Sequence, residues 1–400
     1  MQKLNFLLSI CLLGMVLTSC NSQSVSTPDP ALTATPDLED NTPVPSVSPP
    51  LNFGPDVVLY RGNPQRTGVY NVPAIRHQPE VKWQSKVSSK WLVSPMLAEG
   101  ILYTGSGDGS LYALDAETGE EIWSAGGFGQ LESTGAIAGD VIVAGGYGKL
   151  VQALDRRNGN LLWTYKTGYA MQGSPLIVDD RVYIATNQAV YALGLQSGQL
   201  IWEVATGNED AFMGAPAYQD GTIYTTGGRL LLALDGETGR ELWRVEKEEQ
   251  FLGLSIANQL VYVGNWDRHL YAFDQSTGEE RWKFEANGEI WFAPAVNDDV
   301  VYAGNGDQFL YALNAQTGAL LWSFKTAGRA VSEPLISDGV VYVSDSNHES
   351  SRGPRHLYAF DAATGEELWM FETISTLLPA PALGDGVIYV VSAGDVIALK

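Results

Sequence analysis

From residue 80 onward, one pattern of apolar and polar positions returns about every forty residues. Its first copy reads Ser94-Pro95, then Gly100-Ile101-Leu102-Tyr103, then Gly107-Asp108-Gly109, then Leu111-Tyr112-Ala113-Leu114-Asp115, then Thr118-Gly119 and Trp123. Four short apolar runs separated by Gly-Asp or Gly-Gly pairs predict four strands joined as hairpins. The first strand is expected after Pro95, Pro175, Pro216, Pro294, Pro334 and Pro381. The second is the Val/Ile-Tyr run, as in Val182-Tyr183 and Val301-Tyr302. The third is Leu-Tyr-Ala-Leu, at 111–114 and 310–313. The fourth carries a tryptophan: Trp83, Trp123, Trp163, Trp202, Trp243, Trp282, Trp322 and Trp369. No stretch sustains a helical period, which excludes a helical solenoid. Four-stranded units at this period predict an all-β chain, an eight-bladed β-propeller of antiparallel blades.

The phase of the repeat adds a detail. The last unit, Pro381 to Lys400, supplies three strands and no tryptophan strand, while Val81-Lys82-Trp83-Gln84 is a tryptophan strand with no unit before it. The N-terminal strand is therefore expected to pair with the last blade and close the ring, which removes open sheet edges.

Composition changes the picture at the N-terminus. Lys3 precedes an apolar run from Leu4 to Leu17, too short to span a bilayer and followed by small residues. Residues 1–19 are read as a signal peptide. Asn21 to Asn52 is rich in Pro, Ser, Thr and Asp, has no aromatic residue, and reads as a disordered tether. Extended at roughly 3 Å per residue it would reach about 100 Å. Folded structure is expected from Phe53, so the propeller is assigned 53–400. The net charge of −22 argues against nucleic acid and anionic surfaces.

Two motifs carry resemblances. Leu17-Thr18-Ser19-Cys20 resembles the lipobox of bacterial lipoproteins, which implies acylation at Cys20 and a membrane anchor. Only Cys11 and Cys20 exist, so the mature domain has no disulfide, thiolate metal site or cysteine nucleophile. The turn Ala113-Leu-Asp115-Ala-Glu-Thr118-Gly119-Glu-Glu-Ile-Trp123 resembles the tryptophan-docking motif of pyrroloquinoline-quinone-type propellers. It recurs with Asp155, Asp235, Asp274 and Asp361; Gly194 and Asn314 replace the Asp in blades three and six. The motif reads as structural: the indole is buried between blades, the glycine lets the chain approach it, and Asp and Thr satisfy turn amides.

Function is sought where a fourth strand leads into the next first strand, the face over which related quinoproteins hold their cofactor. Aligned on Pro95, the residues three positions ahead include Leu92, Glu132, Gln172, Met213, Phe251, Trp291 and Leu378. Four positions ahead stand Trp91, Leu131, Met171, Phe212, Gln250 and Ile290. With Phe292 and Glu333 nearby, this reads as an apolar binding rim; the alternative is that these residues tuck inward and fill the channel. The blade-seven insertion, Ser344 to His356, offers Asp345, His348, Glu349 and His356 as a weak metal candidate, with a solvated loop preferred and no metal assigned. Arg61-Gly62-Asn63-Pro64-Gln65-Arg66-Thr67-Gly68 reads as a lead-in packed against the ring, with ligand contact by Arg61 or Arg66 as the alternative.

No catalytic residue is assigned, for no nucleophile elbow, phosphate loop or zinc motif occurs. Lipobox, tether and eight blades together resemble the BamB-like lipoproteins of outer-membrane β-barrel assembly. The resemblance implies a monomeric, extracytoplasmic scaffold that binds protein partners without a cofactor. Two other functions stay open: a dehydrogenase using pyrroloquinoline quinone and calcium, and a ligand-sensing surface propeller. Against the dehydrogenase stand the short length, the absent cysteine pair and the apolar rim.

Overall fold

The structure, a computed structural model, describes residues 57–133, 135–207, 214–328, 332–345, 355–373 and 379–400. These residues form eight sheets, each built on a four-stranded antiparallel blade, and two of them carry a fifth strand. Blade 1 runs Met96–Ala98, Ile101–Gly105, Ser110–Asp115 and Glu121–Gly126. The others follow at 136–166, 176–205, 217–246, 251–285, 295–325 and 335–373. Blade 8 is 382–399 joined by Val81–Lys86.

Each expected punctuation mark does its work. First strands begin directly after Pro95, Pro175, Pro216, Pro294, Pro334 and Pro381. Proline has no N–H to give a ladder, so it sits at the strand's start rather than inside it. First strands such as Leu176–Val178 are buried throughout, and those of neighbouring blades touch, so they line the axis. Fourth strands such as Leu161–Lys166 alternate between exposed and buried and form the outer wall. Val81–Lys86 lies antiparallel to Asp395–Leu399, with Trp83 opposite Ala398. Blade 8 then packs on blade 1 through Ala382, Tyr389 and Val396 against Leu102 and Leu114.

Adjacent blades are locked by the tryptophans. Trp123 Nε1 donates to Arg156 O (2.9 Å), Trp163 to Leu195 O (2.7 Å) and Trp83 to Ala116 O (3.1 Å), each in the turn of the next blade. The turn glycine lies flat on the indole: a Cβ on Gly119, whose φ is +77°, would stand 2.6 Å from the Trp83 ring. Asp115 Oδ1 accepts from the Glu117 and Thr118 amides and the Thr118 hydroxyl. Where blade 7 meets blade 8, no turn joins Asp395–Leu399 to Val81–Lys86, because these paired strands are not consecutive in the chain. Trp369 donates instead to Ile75 O (2.8 Å), ahead of the first tryptophan strand.

Two further strands were not legible in the repeat. Val57–Val58 adds antiparallel to the first strand of blade 2, and Val69–Tyr70 adds parallel to that of blade 7. Both additions are on the inner edge, so the chain between them crosses the axial channel.

Candidate functional site

Every first strand presents an inner edge whose alternate N–H and C=O groups point at the axis, and buried backbone groups must find partners. Residues 57–72 supply them. Pro64 O accepts from Tyr218 N in blade 4 (2.8 Å) and Gln65 O from Ile256 N in blade 5 (2.9 Å). Thr67 O accepts from Val296 N in blade 6 (2.9 Å) and Gly68 O from Ile336 N in blade 7 (2.8 Å). The segment is thus a plug, read in order by successive blades.

The two arginines of the Arg-Gly-Asn-Pro-Gln-Arg-Thr-Gly run serve the carbonyls. Arg66, 1% exposed, donates from Nε to Pro216 O (3.0 Å), from Nη2 to Pro175 O (2.9 Å) and from Nη1 to Tyr60 O (2.6 Å). Arg61, equally buried, donates from Nε to Arg66 O (2.9 Å) and from Nη2 to Pro294 O (2.5 Å). The planar guanidinium fork reaches two blades at once, which an ammonium cannot. Burial pulls Arg61 down to about 10 and Arg66 to about 9; each remains charged at neutral pH. Gly68 completes the fit: its φ is +73°, and a Cβ there would stand 2.9 Å from Pro334 O.

Glu333, at the start of blade 7, faces this plug. The Tyr60 hydroxyl donates to its carboxylate, and Arg61 Nη1 lies 3.8 Å away. Burial pushes the Glu333 carboxyl up to about 8. A carboxyl raised on folding holds its proton in the native state where the unfolded chain has lost it. Stability therefore falls as pH rises from the ordinary carboxylate range toward 8. Glu333→Gln removes that charge and should flatten the slope. The difference between the two proteins is expected to reach roughly 2–3 kcal/mol at pH 9, the neighbouring Tyr60 and Arg61 offsetting part of the full shift. Denaturant midpoints from pH 5 to 9 measure it; parallel curves would refute the buried-carboxyl account.

The plug leaves a gap between itself and blades 8 and 1. The cavity there has a volume of about 190 Å3 and is walled by Tyr60 and Tyr70 of the plug, Met96 and Leu97 of blade 1, and Ala382 and Leu383 of blade 8.

The expected rim divides. Trp91 is exposed (40%) and stacks on Gly107; Trp291 rests on Gly306 and, with Phe292, is half-buried. Glu132 and Gln172 are half-buried and joined through Tyr147, whose hydroxyl donates to Glu132 (3.2 Å) and accepts from Gln172 Nε2 (2.8 Å). Leu92, Met171 and Phe251 are buried and do not offer an exposed surface. The reason lies one blade back. Second strands end in glycines whose missing Cβ leaves a hollow, and Leu131, Met171 and Ile290 fill those over Gly105, Gly145 and Gly264. Leu92 and Met171 are drawn in further by bridges to Ser106 and Thr186. Phe251 packs on Tyr271 and Phe273. These apolar residues are interblade packing, and the regular interval between each glycine and its partner was the signal that could have shown it.

Phe212, Met213, Leu378, His348, Glu349 and Cys20 lie outside the described residues. The insertion leaves between Val340–Ser344 and Arg355–Asp361. At its roots Asp345 accepts from His356 Nδ1 (2.9 Å), Tyr358 Oη (3.0 Å) and Gly328 N (2.7 Å), a buried structural knot. Asp108 and Asp267 likewise accept from Tyr112 and Tyr271 at the same turn of blades 1 and 5. Among the described residues no three His, Cys, Asp or Glu side chains converge as a metal site. The Arg61–Arg66 run, expected as a lead-in against the ring, passes through its centre instead.

An eight-bladed ring with a tryptophan docked at every blade junction is a propeller of the pyrroloquinoline-quinone type. The chain matches the family of the outer membrane protein assembly factor BamB over residues 76–211, 186–293 and 287–400, and it belongs to that family. It is similar to BamB of Yersinia pestis, 27% identical over 176 residues, covering 39% of this chain and 43% of that protein. The match thus spans less than half of that relative. Among solved structures, BamB from Moraxella catarrhalis superimposes with a TM-score of 0.64 at 18% identity, covering 81% of this chain and 100% of that one. A quinohemoprotein alcohol dehydrogenase from Comamonas testosteroni gives 0.71 at 15% identity, covering 86% and 80%. At such identities the likeness is one of fold.

Dehydrogenases share the ring and hold pyrroloquinoline quinone in it. A fused-ring tricarboxylate with calcium asks for uncommitted cations and several oxygen ligands. Arg66 and the Nε and Nη2 of Arg61 are spent on main-chain carbonyls, and the remaining Arg61 Nη1 lies 3.8 Å from the Glu333 carboxylate. A hole of about 150 Å3 takes a benzene ring, and the gap here is little larger. The described residues do not fit that cofactor.

Proposed function

We propose that this chain is a lipid-anchored, extracytoplasmic scaffold propeller that holds protein partners on its loop face, in envelope protein assembly. The observation that carries the reading is the plug. The axial channel is occupied by the chain's own backbone, which leaves the loop face to do the work. Membership of the BamB family supports it. Trp91, exposed on its glycine, and the half-buried pair Trp291 and Phe292 are the anchors offered to a partner. Cys20 carries the lipid, and the tether spaces the ring from the membrane.

The test is a cross-linking pull-down from membranes of cells expressing the full chain. Trp91→Ala with Trp291→Ala is expected to lose at least one specific partner; retention of every partner would sink the rim assignment. Cys20→Ala should release the protein from the membrane fraction, and unchanged fractionation would refute the anchor. Tight stoichiometric binding of pyrroloquinoline quinone with calcium, together with dye-linked alcohol oxidation, would overturn the scaffold reading.

A further inference from the structure

The plug satisfies the inner edges of the ring unevenly. In blades 4 to 7 the first-strand residue one step before the hairpin's closing pair donates its N–H to a plug carbonyl, through Tyr218, Ile256, Val296 and Ile336. Arg66 meets blade 3 at Ser174 O and Pro175 O, and Val57–Val58 pairs with blade 2. The same register in blades 1 and 8 falls on Leu97 and Leu383, which face Leu102 and Ile388 across their hairpins as Ile336 faces Val341. Among the described residues no carbonyl accepts from either of these two amides. Both residues wall the 190 Å3 gap.

We propose that this gap is a binding site for a short extended peptide segment with small apolar side chains, continuing the plug around the ring. Its main-chain carbonyls take the Leu97 and Leu383 amides as the plug carbonyls take their four counterparts. An edge that pairs with backbone on most of the ring is built to pair with backbone on the rest, since strand addition is recognised mainly through main-chain hydrogen bonds. The walls set the side chains. Met96, Leu97, Ala380, Ala382 and Leu383 are aliphatic, and the volume excludes large residues. The polar side chains on the wall are Tyr60, Tyr70, Ser94 and Arg61. Arg61 binds main-chain carbonyls through Nε and Nη2 and has Nη1 3.8 Å from Glu333, so the cation is already balanced and no acidic residue is asked of the peptide. The site is separate from the rim and does not rest on the scaffold reading.

The experiment is amide hydrogen exchange on the full-length protein, with acetyl-Ala-Ala-amide as probe. Without the probe, Leu97 and Leu383 should exchange faster than Tyr218, Ile256, Val296 and Ile336. At a probe concentration ten times its dissociation constant their exchange should slow about tenfold. Ala382→Phe, which fills the gap, should abolish that slowing while the four plug-bonded amides stay protected, which certifies that the variant is folded. Slow exchange of Leu97 and Leu383 in the free protein would overturn the proposal. So would a lack of response up to the probe's solubility, or an equal response in Ala382→Phe. If Ala382→Phe loses plug protection, Ser94→Leu serves the same purpose.

Discussion

Arg66→Ala is expected to destabilise the propeller by about 3–5 kcal/mol, one of the largest losses available to a single side chain in this chain. Its guanidinium is 1% exposed and holds Pro216 O, Pro175 O and Tyr60 O together. Truncation leaves these carbonyls buried without donors, and each such group costs about 1–3 kcal/mol. Part of that is offset because a charge no longer has to be kept out of water. Arg66→Lys should recover less than roughly half of the loss, since one ammonium cannot reach carbonyls on blades 3 and 4 and on the plug together. Chemical denaturation followed by tryptophan fluorescence measures both. A loss under about 1 kcal/mol for Arg66→Ala would mean that the carbonyls find other donors, and the plug would then be a passenger of the ring.

Trp163→Ala is expected to cost about 3–5 kcal/mol, and more than Trp123→Ala. Both indoles are 8% exposed and both dock on the next blade. The difference is in who else serves the accepting carbonyl. Arg156 O accepts from Trp123 and also from the Tyr103 hydroxyl (3.1 Å), so it keeps a donor after truncation. The tyrosine position of blade 2 is held by Val143, and among the described residues Leu195 O has Trp163 alone as a side-chain donor. The gap between the two variants should be about 1 kcal/mol, the worth of one buried hydrogen bond. Thermal or urea unfolding of the two proteins side by side decides it; equal losses would put the whole effect in packing.

The blades were legible because their information is repeated. Strand starts at Pro95 or Pro381, the Asp115 turn and the Trp123 dock each recur at one phase, so a local misreading in Gly194 or Asn314 could not move the register. The site was less legible. Leu131, Met171 and Ile290 announce themselves as apolar, but whether they face water or a neighbouring blade depends on the hollow over Gly105, Gly145 and Gly264. Glu333 looks like an isolated charge ahead of a strand; only the fold brings Tyr60 and Arg61 onto it. The plug occurs once, and its partners are main-chain atoms of six blades, which leave no mark on side-chain type.

The sequence by itself determined the number of blades, their internal strand order and the docking of each tryptophan, because these are contacts within a unit or between identical neighbouring units. Tertiary structure alone decided what fills the axis, which apolar residues reach the surface and where a gap is left. Those outcomes depend on a single unrepeated segment meeting the inner edges of strands far apart in the chain. The backbone hydrogen bonds that settle them are available to any residue, so no residue pattern could have declared them.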